Sequence, residues 1–89
     1  MTHAQICKCL LNDNFTRQNI SRWVKNLTNE YRLYIICWTA GSYISDASDA
    51  GGLDVELCRG RWIVKHLCKF DDLNKISIEM LNNVLDIVR

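Results

Sequence analysis

Proline is absent from this 89-residue chain and glycine occurs only four times, so collagen-like repeats are excluded. No apolar run approaches the ~18 residues of a membrane span; the longest, Leu33 to Ala40, already contains a Tyr and a Thr. The opening Met-Thr-His-Ala-Gln lacks the basic-then-apolar order of a secretory signal. Net charge is nearly absent too, at +1, while 48% of the residues are apolar, too many for a disordered chain. What is left is one small domain over residues 1–89, expected in the cytoplasm and not at a membrane. Its core must be thin, so that a single packing defect matters.

Cysteine is not scarce: Cys7, Cys9, Cys37, Cys58 and Cys68 make five. An odd number without an export signal argues against a disulfide framework. A zinc site would need C-x2-C or H-x3-H pairs, whereas the closest pair here is C-x-C at 7 and 9, and His3 and His66 complete no usual spacing. The thiols therefore read as small buried hydrophobes, and neither a metal nor another cofactor is expected. His3 and His66 have no Ser, Cys or carboxylate at a diagnostic spacing, and Cys58 beside Arg59 has no identifiable base. Gly51-Gly52 lacks the Lys and the strand-to-helix context of a phosphate loop. Neither an enzyme nor a small-molecule substrate is indicated.

The near-neutral total hides blocks of charge. Residues 1–45 carry five basic and two acidic side chains. Asp46, Asp49, Asp54 and Glu56 then form an acidic stretch, followed by Arg59, Arg61, Lys65 and Lys69 with no acid among them. One basic face can exist on such a molecule.

Patterning suggests helix, helix, strand, strand, helix. Thr2 caps a helix to about Asn12 with Ala4, Cys7 and Leu11 on one stripe and Ile6 and Leu10 beside it. Asn12-Asp13-Asn14 breaks it. Thr16 caps a second helix to about Asn29, with Ile20, Trp23, Val24 and Leu27 facing inward and Arg17, Gln18, Ser21, Arg22 and Lys25 outward. Tyr31 to Trp38, β-branched and aromatic, reads as a strand. Gly41 to Gly52 is turn-rich, and a second strand runs from Val55 to Leu67, interrupted at Arg59-Gly60-Arg61. A last helix spans about 71–88, with Leu73, Ile76, Met80, Leu81, Val84, Leu85 and Val88 as its apolar face.

The segment Thr16-Arg-Gln-Asn-Ile-Ser-Arg-Trp23, preceded by Ile6, Cys7, Leu10 and Phe15, resembles the recognition helix and supporting helix of winged helix-turn-helix DNA-binding domains of phage and mobile-element type. The resemblance implies an α+β fold: helix-turn-helix over 2–29, a β-hairpin wing over 31–67 and a C-terminal helix over 71–88. Its turn departs from the compact pattern, with Leu11-Asn12-Asp13-Asn14 where one Gly is usual. The supposed wing tip is acidic, at Asp46 and Asp49.

The function this implies is sequence-specific binding of double-stranded DNA, in a replication initiator or a transcription regulator. Arg17 and Arg22 offer bidentate donors for guanine, Gln18 suits adenine or phosphate, and Ser21 lets the backbone approach. Lys25, Arg59 and Arg61 would reach phosphate, and the Thr16 cap presents helix N-terminal amides. A monomer, or a homodimer formed on DNA, is expected in a bacterial host's cytoplasm if the chain is phage-derived. Trp23, Trp38 and Trp62 offer rings for base stacking, but their places on the helix and strand patterns favour core packing, above all for Trp23. The competing expectation is a small phage-type inhibitor that binds a host protein through an exposed patch on the strands or last helix.

Overall fold

The computed structural model describes residues 1–39 and 51–87. A helix, α1 (His3–Asn12), leads into five strands: β1 (Thr16–Arg17), β2 (Arg22–Asn26), β3 (Tyr31–Thr39), β4 (Gly51–Arg59) and β5 (Trp62–Phe70). A 3-10 turn at Leu73–Lys75 and a second helix, α2 (Ile78–Asp86), follow. The strands form one antiparallel sheet in the order β1-β2-β3-β4-β5, so each strand pairs with its neighbours in the chain.

The first helix begins where its cap was expected. The Thr2 hydroxyl accepts from the Gln5 N–H at 3.2 Å, and the Gln5 side chain accepts from the Thr2 N–H at 2.9 Å, a reciprocal capping box. It ends at the Asn-Asp-Asn breaker, where Asn14 takes a left-handed φ of 67° that Asn tolerates better than most residues. Its inward face is set differently from the expected stripe: His3, Ile6 and Leu10 are buried, while Ala4 and Leu11 face solvent. The Met1 amino group donates to the Leu73 and Ile76 carbonyls at 2.6 and 2.8 Å, tying the start of α1 to the entry of α2.

The winged helix-turn-helix arrangement is not what the chain forms. Residues 16–29, expected as a recognition helix, make the β1–β2 hairpin and the turn into β3. Three features decide it. Thr16, Asn19, Ser21, Asn26, Thr28 and Asn29 carry side chains that bond nearby backbone and compete with a helix. At the hairpin tip the Asn19 carboxamide oxygen accepts from the N–H groups of Ser21 and Arg22 at 3.0 and 2.9 Å. The Arg17 guanidinium donates to the Asn19 and Ile20 carbonyls at 3.2 and 2.7 Å. The apolar stripe that suggested a helix separates accordingly. Trp23 points into the core opposite Ile35, Val24 points to the far face opposite Tyr34, and Ile20 is 62% exposed at the tip.

Two further boundaries move for local reasons. The strand expected over 55–67 is two strands, because Gly60 (φ +61°) and Arg61 close a tight turn that pairs Arg59 with Trp62, the two-residue hairpin that takes Gly first. The helix expected over 71–88 is divided, since Ile76 is extended and Ser77 recaps the chain, its hydroxyl accepting from the Met80 N–H at 3.2 Å. The acidic loop tip, Asp46 and Asp49, lies outside the described residues.

Both helices cover one face of the sheet. Leu33, Ile35 and Cys37 of β3 and Leu53 and Val55 of β4 meet Ile6, Leu10, Leu73, Leu81 and Leu85 in a single core. Helices of 10 and 9 residues are about 15 Å long, whereas nine-residue strands extend about 30 Å. Cover therefore runs out along β4: Val55 is buried, Leu57 half-buried and Arg59 exposed.

Two stability outcomes follow. Trp23→Ala empties a buried site in a thin core and is expected to cost ~3–5 kcal/mol in urea denaturation; a loss below ~1 kcal/mol would mean that the ring lies at the surface. Gly52→Ala would place a methyl against the Trp38 ring and the Phe70 carbonyl oxygen, so an overpacking cost of ~1–3 kcal/mol is expected. An unchanged denaturation midpoint would show that Trp38 does not lie over Gly52.

Candidate interaction surface

The eight residues expected to contact DNA are not brought together on one face: most divide between opposite ends of the sheet, with Lys25 between them. Thr16, Arg17, Gln18, Ser21 and Arg22 sit on the β1–β2 hairpin, and Lys25 lies further along β2. Arg59 and Arg61 belong to the β4–β5 turn, level with Tyr31, whereas Arg22 is level with Ile36. Five residues of strand, about 17 Å, and two strand positions separate the groups. Several of these cations already have partners. Arg17 holds its own hairpin and lies 5.4 Å from the Trp23 ring centre. Arg22 lies over Tyr34 at 4.8 Å. Lys25 is ion-paired with Asp13 at 3.6 Å and lies over Phe15. Arg59 pairs with Glu30 at 3.1 Å.

The sheet face turned away from the helices mixes signs. Asp54 and Glu56 of β4 pair with Lys69 and His66 of β5, on a face they share with Arg22 and Arg32. The aromatic rings on β3 each carry a cation, Arg22 over Tyr34 and Lys69 over Trp38 at 5.9 Å. Glu56 is only 6% exposed; one oxygen lies 3.7 Å from His66 Nδ1 and the other has no hydrogen-bond partner. Carboxylates set among the rings oppose a polyanion on this face.

Three of the five thiols are held toward the protonated form. Burial, then the neighbouring Cys7, pushes Cys37 up to about 12, with Arg17 acting in the opposite sense. Burial and Glu56 raise Cys58 against a lowering by Arg22, and burial and Asp54 raise Cys68. These are poor nucleophiles, since the thiolate is the reactive form. Among the described residues no group of three or more His, Cys, Asp or Glu side chains is placed to hold a metal ion.

The feature that stands out is at the end of the sheet the helices leave bare. A groove of about 530 Å³ opens there, lined by Asn29, Glu30, Arg59, Gly60, Trp62 and Val64. Trp62 is 79% exposed, Val64 54% and Ile63 50%, three consecutive apolar side chains in water. The strand that carries them lies at the end of the sheet order, with no strand beyond it among the described residues. Of this lining the sequence offers Arg59 for phosphate and Trp62 for base stacking, while Asn29, Glu30 and Val64 carry no site signal there. The available signal was Gly60 between two arginines, a turn marker, followed by an apolar run that does not alternate.

Comparison with models of known protein families, with curated proteins and with solved structures finds no match. Among the described residues no helix is long and apolar enough to cross a membrane.

Thiol burial yields a pH dependence. Cys37 keeps its proton in the folded chain to about pH 12 but ionises near its ordinary value of 9.0 once exposed. The stabilisation is fully present below pH 9 and is lost as pH rises toward 12. Cys37→Ala should therefore flatten the alkaline fall in denaturation midpoint, although it lowers the plateau. An identical alkaline slope in the variant would show that the thiol is accessible.

Proposed function

We propose that this protein acts by binding a protein partner through the β4–β5 hairpin, as a small inhibitor or adaptor does. The observation that carries the reading is the exposed Trp62, with Ile63 and Val64, beside an unfilled groove at an open sheet edge. Covering an aromatic or branched side chain is worth roughly 1.5–3 kcal/mol, and tryptophan is enriched at the centres of protein interfaces. Arg61 and Lys65 border the apolar patch and have no ion-pair partner among the described residues, which suits the charged rim of an interface.

Duplex DNA is the competing partner. Specific DNA binding draws on many phosphate contacts, roughly six to ten in a well-bound complex, and the cations expected to make them here are spread over β1–β2 and the distant β4–β5 turn, several of them already partnered. A β-ribbon can enter the major groove, so the β1–β2 hairpin is the segment by which DNA would be read. Its Arg17, however, is committed to its own carbonyls.

Photo-crosslinking separates the two readings. A photoreactive amino acid in place of Ile63 should give a discrete protein adduct in cells that make this chain, and the adduct should vanish with Trp62→Ala. The same group in place of Leu11, exposed on α1, should not give it. Nucleic-acid adducts from position 63, or the same adducts from both positions, would contradict the proposal.

A further inference from the structure

Resting on that reading, we infer that the partner element is an extended acidic segment with one bulky apolar side chain, which adds to the free edge of β5 near residues 62–66 and seats that side chain in the groove beside Trp62. The edge comes first. As the last strand of the sheet among the described residues, β5 turns alternate N–H and C=O groups away from β4, and an extended chain satisfies such groups by strand addition.

Charge selects the occupant. From Arg59 to Lys69 the chain carries four Lys or Arg side chains and His66, with no acid. Arg59, His66 and Lys69 have acidic neighbours in Glu30, Glu56 and Asp71, while Arg61 and Lys65 have none among the described residues. An acidic strand laid along this edge meets unspent positive charge at both. A second copy of the chain does not. Antiparallel self-pairing of β5 centred on Lys65 would set Lys65 against Lys65 and Arg61 against Lys69, and like charges across a strand pair are destabilising.

Length is selected as well. Register shifts between Val55 and Glu56 and between Leu57 and Cys58 leave paired runs of three, two and two residues along β4–β5. Such irregularities bend an edge and interrupt a long ladder. A short segment anchored by one side chain suits this edge better than a full-length strand. The groove provides the anchor's seat: Trp62 and Val64 form apolar walls, Gly60 contributes no side chain, and the Arg59–Glu30 ion pair closes one side.

A display selection tests this on the full chain, with two libraries of ten-residue segments. In one, Asp or Glu alternates with random apolar residues; in the other, Lys or Arg takes the acidic positions. The acidic library should enrich and the basic library should not. Enriched peptides should shift the amide resonances of residues 61–66 saturably. Their affinity should fall at least tenfold in Trp62→Ala and in Lys65→Glu, both exposed sites whose replacement leaves the core intact. Equal enrichment of the libraries, no enrichment of either, or shifts confined to other strands would overturn the inference. So would concentration-dependent dimerisation abolished by Lys65→Glu, which would assign the edge to a second copy. If crosslinking at position 63 still yields a protein adduct while the acidic library fails, the acidic-strand inference falls and the broader reading stands. Nucleic-acid adducts at position 63 would end both.

Discussion

Everything distinctive about this molecule depends on a mismatch of lengths. Two helices of about 15 Å cover one face of a sheet whose strands run to about 30 Å. Where they overlap, Ile6, Leu10, Leu81 and Leu85 close over Leu33, Ile35, Leu53 and Val55 with essentially no solvent exposure. Where they stop, the same alternation along β4 continues into Arg59, and its neighbour on β5 is a solvent-exposed tryptophan. The core and the Trp62 side of the candidate interaction surface are thus one face of one sheet, divided by the reach of the helices. A small chain has few ways to build both, and an open sheet edge beside bare apolar surface is the kind of feature that binding proteins cover with a partner.

Much of this was legible where a local device fixes the backbone. The capping box at Thr2, the Asn-Asp-Asn stop after α1 and the β-branched run from Tyr31 to Trp38 could each be read directly. The hairpin of residues 16–26 could not, because Ile20, Trp23, Val24 and Leu27 fall at helical spacing while only Trp23 is fully inside. Short amphipathic patterns are ambiguous between the two periods. What tips the balance is the hydrogen bonding of Asn19 and Arg17 to the turn, together with pairing to β3, a long-range contact that a local pattern does not contain. The same ambiguity of period sets Arg17, Gln18, Ser21, Arg22 and Lys25 on one helix face in the sequence, whereas the structure carries them on a hairpin.

The groove was hidden for a different reason. In the sequence Trp62 reads as a base-stacking candidate or, more readily, as part of the core, because large aromatics in a strand pattern usually pack inward. Its exposure arises from the two-residue turn at Gly60-Arg61, which starts β5 beyond the end of the helical layer. The charge blocks were visible, yet their consequence depended on pairing. Glu30 neutralises Arg59 from the β2–β3 turn, and within the basic stretch from Arg59 to Lys69 it is Arg61 and Lys65, beside the apolar patch, that have no acidic partner among the described residues. Arrangement, more than composition, made this the surface to test.

Amide hydrogen exchange followed by NMR addresses both the hairpin and the open edge in a single measurement. The account requires protected amides in β2 and β3 with fast exchange at Ile20, in the hairpin tip that precedes β2, and fast exchange at those β5 amides that face away from β4. A continuous protected block from Arg17 to Asn29, as a helix would give, or uniform protection along the whole of β5, would contradict it.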